Sequence, residues 1–169
     1  MITLYLDMDG VIADFNKEYI KHDPAKNDRT RFRDSVIHGK IFTKLDPMPD
    51  AHELLNHVAK LHHKGLHVEI LTSMGTHDPF QGAAAREQKM EWLAAQGITY
   101  KPNFVCNKKE KAQYATPTSI LIDDSVGCIS PFIAAGGHGI LHVNASDTIS
   151  ILDSTILQIH SLAVLRDHA

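Results

Sequence analysis

Cysteine is scarce in this 169-residue chain: Cys106 and Cys128 are the two present, and they form no Cys-x-x-Cys pair. That scarcity fits a reducing, cytoplasmic compartment, with both thiols as small core residues rather than ligands. An excess of one charge is also missing. Seventeen basic residues against 20 acidic ones give a net charge of −3, so there is no electrostatic case for nucleic acid as a partner. No apolar stretch reads as long enough to span a bilayer, and a first strand starting at Ile2 leaves no room for a signal peptide. A membrane is therefore not expected as a partner. Histidines number 12, yet only His62 and His63 are adjacent and no His-Glu-x-x-His occurs. They read as scattered, solvated side chains. Internal repeats and low-complexity linkers are absent as well.

What the chain does have is alternation. Its 169 residues are read as one domain, 1–169. Strands alternating with helices predict an α/β fold with a parallel sheet and crossover helices. The expected strands cover 2–7, 67–72, 103–106, 119–123 and 140–143. Leu54, Leu55, Val58 and Leu61 form a helical stripe opened by Asp50 at its N-cap and closed by Gly65. Further helices are expected over 82–96, 109–115, 129–135 and 148–165. Residues 16–49 break the alternation. They are polar, punctuated by Pro24, Pro47 and Pro49, and a connection of that length is uncommon unless it is functional or structured. Tyr19, Ile20, Phe32, Val36, Ile37, Ile41 and Phe42 argue for packing. We read 16–49 as a small cap insert of one or two short helices, lying over the strand ends as a lid.

The most informative stretch runs from Leu4 to Phe15: Leu-Tyr-Leu-Asp-Met-Asp-Gly-Val-Ile-Ala-Asp-Phe. Carboxylates at i and i+2 on an extended segment point the same way. Leaving the C-terminal end of a strand, Asp7 and Asp9 converge on the crevice where open α/β sheets bind ligands. Two like charges so close need a cation or a shared proton. Hard Mg²⁺ is the natural answer, because it takes carboxylate and carbonyl oxygens. Gly10 lets the backbone turn sharply and approach a ligand. An EF-hand loop is a poor alternative, since Val11-Ile12-Ala13 supplies none of the further oxygens it needs. Three more groups belong at the same sheet edge. Thr72 and Ser73 end the second strand with hydroxyls suited to phosphate oxygens. Asp123 and Asp124 end the fourth with two carboxylates, costly unless they face a cation or water. Between these strands, Asn107-Lys108-Lys109-Glu110-Lys111 offers a lysine to neutralise phosphate and carboxylate charge.

This ordered set resembles the haloacid dehalogenase superfamily of phosphatases. That pattern is Asp-x-Asp-x-(Val/Thr), a strand-end Ser/Thr, a Lys, and a strand-end acidic pair. The matching residues are Asp7-Met8-Asp9-Gly10-Val11, Thr72, a lysine within 108–111, and Asp123-Asp124. The resemblance spans residues 2 to about 143. Within the superfamily, Asp7 to Phe15 and Leu71-Thr72-Ser73 are similar to the 5'(3')-deoxyribonucleotidase branch. Gln88-Lys89-Met90-Glu91-Trp92 is similar to its Glu-Lys-x-x-Trp segment, and Lys109-Glu110-Lys111 to its Arg-Asp-Lys. Lys111 thus becomes the motif lysine, with Lys108 and Lys109 as alternatives. Residues 135–142 resemble phage and bacterial members.

The resemblance implies a Rossmann-like parallel sheet flanked by helices, with a small helical cap after the first strand. It implies Mg²⁺-dependent hydrolysis of a small-molecule phosphomonoester, a (deoxy)nucleoside monophosphate above all. Asp7 would attack phosphorus and form an aspartyl-phosphate, with Asp9 as acid and then base. Mg²⁺ would be held by Asp7, the Asp9 backbone carbonyl and one or both of Asp123 and Asp124. Thr72, Ser73 and Lys111 would hold the phosphoryl oxygens. Phe15, where the branch carries an aromatic, would stack on a base or pack at the root of the cap. Lys89 would reach the substrate or stay solvated on its helix. The alternatives are a polynucleotide 3'-phosphatase, a small sugar-phosphate phosphatase, and a nucleotide-binding module without turnover. Homo-oligomerisation is left open.

Overall fold

In the computed structural model, which describes residues 1–167, the strands are β1 (Thr3–Leu6), β2 (His67–Ser73), β3 (Lys101–Val105), β4 (Ser119–Asp123) and β5 (His138–Leu141). They pair in parallel, in the order β3-β2-β1-β4-β5. β4 is buried throughout and β2 over its five middle residues. Strands covered on both faces read as continuous apolar runs, which is why these two were legible. β3 and β5 each begin two residues earlier than read. Pairing of Lys101 with Glu69 and of His138 with Ile120 recruits polar residues that no propensity favours. Pro102 is tolerated because β3 is an edge strand.

The helices are α1 (Phe15–Tyr19), α2 (Asp28–Ile37), α3 (Ala51–His63), α4 (Pro79–Ala95), α5 (Val126–Ala134) and α6 (Ala145–Asp167). Two 3₁₀ turns, Ile41–Lys44 and Lys108–Tyr114, complete them, so the segment expected as a helix over 109–115 is a 3₁₀ turn. α4 starts earlier than expected because Asp78 caps it, accepting from Gln81 N at 2.7 Å, with Pro79 in its first turn. Asp50 precedes α3 but makes no side-chain cap there. Its carboxylate accepts from Ala145 N at 2.6 Å instead, tying the start of α6 to α3.

Alternate strand residues feed opposite faces of the sheet. Leu4, Leu6, Ile70, Ile120 and Ile122 enter the larger core with α3, α4 and α6, while Leu71 and Leu121 pack with Phe132 of α5. α6 corrects one expectation. By length and composition Ala145–Leu165 is long and apolar enough to cross a membrane, 21 residues at mean hydropathy 1.4. Its Leu152 and Ile159 are buried in the core, and Ile151, Leu157, Leu162, Val164 and Leu165 are exposed. Interspersed Ser, Thr and His disguise the run. His142 is a second correction, being buried rather than solvated and bonded through Nδ1 to Thr148 Oγ1 at 2.8 Å.

The segment 16–49 holds α1 after Phe15, then α2 and the turn Ile41–Lys44. Two side chains of α4 fasten it. Gln88 Nε2 donates to Val36 O at 2.9 Å while its Oε1 accepts from Phe42 N at 3.3 Å, and Trp92 Nε1 donates to Leu45 O at 2.8 Å. These bonds are buried, where a lost partner leaves a costly unpaired group.

Candidate active site

The strand order reverses between β1 and β4, the place where open α/β sheets bind ligands. Asp7 follows β1 and keeps the ladder going by donating its backbone N–H to Ile122 O at 3.0 Å, which brings it beside Asp123 at the end of β4. Beyond Asp7 the chain curls over Met8 O, which accepts from the N–H groups of Ile12 and Ala13. Gly10 sits at φ +78°, and a Cβ there would overlap Asp124 Oδ2. Glycine is required on both counts.

Two fully buried lysines divide the carboxylates between them. Lys111 Nζ lies 2.6 Å from Asp123 Oδ2 and 2.8 Å from Asp7 Oδ1. Lys89 Nζ lies 2.5 Å from Asp9 Oδ2, donates to Thr72 Oγ1 at 2.8 Å, and sits 4.3 Å from the Phe42 ring centroid. Lys111 was the expected motif lysine. Lys108 stands one 3₁₀ turn earlier, on the same side of its turn, and donates to Ser125 Oγ at 3.1 Å. Lys89 and Thr72 depart from expectation. Neither lines the cavity: Lys89 is not solvated, and the Thr72 hydroxyl faces Lys89.

Burial first, then the charge of Asp7, pushes Asp123 up to about 6. The same two causes raise Asp124. Burial raises Asp9 despite the opposing pull of Lys89. Burial works against the charge on Lys111, but Asp7 and Asp123 outweigh it and hold the ammonium above its ordinary range. Cys128 is pushed up to about 12, chiefly by burial, and is an inert thiol. Cys106 corrects the sequence reading, since it is half-buried at the end of β3 rather than in the core.

The residues fit a divalent cation. Asp7, Asp123 and Asp124 each present a carboxylate oxygen, all within 4.8 Å of one another. Among the described residues, Asp7 Oδ1 and Asp9 Oδ1 are buried without a hydrogen-bond partner; Lys111 meets the first as an ion pair only. Counting Asp9, four carboxylates face the buried ammonium groups of Lys89 and Lys111 and that of Lys108 in the cavity wall, which leaves an excess of carboxylate oxygens. Mg²⁺ would take these as its preferred ligands.

Above this floor opens a cavity of about 530 Å³, reached also by Ser73, Asn107 and Lys108. Its wall is aromatic: Phe15, Phe32 and Phe42. Phe15 stacks on both Tyr19 and Phe42, with centroids 5.1 and 5.7 Å away. Phe32 lies over Gly75 so closely that a Cβ there would meet its ring at 2.8 Å. Phe32 and Phe42 were read from sequence only as packing residues; aromatics in an otherwise polar insert were the signal for the wall.

No protein-family model matches the chain, and no curated protein matches it. A solved structure does: it is similar to a hydrolase from Streptococcus pneumoniae TIGR4, with TM-score 0.55 and 12% identity over 90% of this chain and 98% of that one. At this identity the likeness is one of fold, an α/β parallel sheet flanked by helices.

Proposed function

We propose that the protein is a Mg²⁺-dependent phosphomonoester hydrolase of the haloacid dehalogenase type, acting on (deoxy)nucleoside monophosphates through an aspartyl-phosphate. The observation that carries this reading is the convergence of Asp7, Asp123 and Asp124 oxygens within 4.8 Å of one another, with Asp7 Oδ1 and Asp9 Oδ1 buried without a hydrogen-bond partner, at the floor of an open cavity. A purely structural cluster would pair its charges, because unpaired buried charge is expensive.

Asp7, Asp123 and Asp124 would hold Mg²⁺, which would supply charge to offset the repulsion between a carboxylate and a phosphate. Lys111, held on Asp123, fixes the Asp7 carboxylate for attack. An Asp7 oxygen bonds to phosphorus as the bond to the leaving alkoxide breaks. Asp9 gives its proton to that alkoxide, then takes one from the water that attacks phosphorus and frees Asp7. Burial lets Asp9 carry a proton, while Lys89 limits the rise so that the proton can also leave. Ser73, Asn107 and Lys108 supply polar groups to the phosphoryl oxygens.

The aromatic wall supports a substrate with a flat, apolar part. The cavity volume of about 530 Å³ falls within the range of small-molecule sites, and base–aromatic stacking tolerates any base. The test is phosphate release from nucleoside monophosphates, sugar phosphates and 3'-phosphorylated oligonucleotides, each with Mg²⁺ and with EDTA. The reading expects release from the nucleotides, abolished by EDTA. Release from sugar phosphates alone, or release indifferent to EDTA, contradicts it.

A further inference from the structure

We propose that His77, Cys106 and Glu110 form a second metal site, for a borderline-soft transition ion of the Zn²⁺ class, beside the cavity. The three come from separate segments: the loop after β2, the end of β3 and the turn Lys108–Tyr114. Each offers one ligand atom, all within 4.8 Å of one another. Zinc bonds of about 2.0–2.3 Å in a tetrahedron set ligand atoms roughly 3.5 Å apart. His77 Nε2 and Glu110 Oε1 are 3.7 Å apart, close to that spacing. His77 is 70% exposed, so an ion can reach it from solvent.

Two of the ligands are fixed relative to one another without an ion. Glu110 Oε2 accepts from Cys106 N at 2.8 Å, and Asn107 Oδ1 accepts from the backbone N–H groups of Lys109 and Glu110. Asn107 Nδ2 then stands between the other pair, 3.1 Å from His77 Nε2 and 2.7 Å from Glu110 Oε1. One electropositive amide thus bridges both lone pairs, as a cation would. That contact turns His77 Nε2 towards Glu110 Oε1, the orientation a shared ion needs. An entering ion displaces that amide, and the Cys106 thiol proton passes to solvent as the thiolate forms.

The donor set decides the ion. Thiolate and imidazole favour Zn²⁺, whereas Mg²⁺ keeps to oxygen. The carboxylate floor and this cluster therefore select different metals. Asn107 lines the cavity, and Cys106 O accepts from Ser73 Oγ at 3.3 Å. Loading the second site displaces the Asn107 amide that lines the cavity and so changes turnover; this consequence rests on the phosphatase reading, whereas the binding does not.

The test titrates Co²⁺, as a spectroscopic probe for Zn²⁺, into the full chain held in saturating Mg²⁺. We expect a thiolate-to-cobalt charge-transfer band that saturates at one equivalent and is bleached by stoichiometric Zn²⁺. Cys106→Ser should abolish the band, and the exposed-site variant His77→Ala should weaken Co²⁺ binding at least tenfold. Cys128→Ser should retain the band, since the carboxylate floor has no sulfur ligand apart from that neighbour. Absence of the band in the parent, or its survival in Cys106→Ser, overturns the proposal. Neither result depends on which phosphate ester is hydrolysed.

Discussion

Lys89 and Asp9 form an ion pair beneath Phe42, with Nζ 2.5 Å from Oδ2 and the ammonium 0% exposed. The pair joins α4 to the loop after β1, and Phe42 covers the ammonium from the insert. A change at Phe42 therefore reaches the residue proposed for proton transfer.

Replacing Lys89 with methionine removes the group that opposes the upward pull of burial on Asp9. The Asp9 carboxyl then holds its proton to higher pH, so the pH–rate profile should move to the alkaline side. Breaking a buried pair costs about 3–5 kcal/mol. Asp9 is 26% exposed, which puts the loss at the lower end. Kinetics across pH on the folded variant check this; an unmoved profile would show that Lys89 only supports packing.

The acidic floor predicts how metal-free stability depends on pH. Asp123 is pushed up to about 6, and Asp9 and Asp124 are raised as well. A carboxyl raised in the folded state contributes stability below its unfolded value, about 4, and loses it as pH rises through the folded value. With EDTA, these groups should therefore destabilise the protein between pH 4 and about 6. Mg²⁺ binds the ionised forms, so the gain in Tm on adding it should grow over the same range. A gain that is flat or shrinking with pH would contradict the assignment of this cluster to a cation.

Gly10→Ala should harm both fold and metal binding. A non-glycine residue in the left-handed region costs about 1–2 kcal/mol, and the new Cβ displaces Asp124. We expect a lower Tm together with Mg²⁺ affinity reduced roughly tenfold, about 1.4 kcal/mol. Calorimetric titration of Mg²⁺ distinguishes this from a backbone effect alone, which would leave the affinity unchanged.

Phe32→Ala is the cleaner probe of the aromatic wall, because Phe15 already stacks on Tyr19 and Phe42. Losing a stacked base costs about 1–3 kcal/mol, which should appear as a raised KM for nucleoside monophosphates. Hydrolysis of p-nitrophenyl phosphate should change far less. Equal losses on both would mean that Phe32 only closes the cavity over Gly75.

The parts legible in the sequence were those where local pattern and tertiary role agree. β4 has its expected bounds, and Asp7, Asp9 and Asp123-Asp124 meet because parallel strands align their C-terminal ends. Lys108 and Lys111 stand on one side of a 3₁₀ turn, and tertiary contacts that no local pattern encodes separate them: Lys111 is buried on Asp7 and Asp123, whereas Lys108 meets Ser125. Contacts between distant segments were not legible. Gln88 fastening the insert, Asp50 capping α6 and His77 meeting Glu110 join residues 30 or more apart, or cap a helix other than their own. Periodicity carries no information about such partners.

The central claim is that Asp7 forms a covalent bond to phosphorus, and the direct measurement is acid-quenched peptide mapping during steady-state turnover of a nucleoside monophosphate with Mg²⁺. The account predicts a phosphoryl group on the peptide carrying Asp7, none in EDTA, and neither adduct nor turnover in a folded Asp7→Asn variant. Turnover by Asp7→Asn at the parent rate, or phosphate release by the parent with no adduct on that peptide, would contradict it.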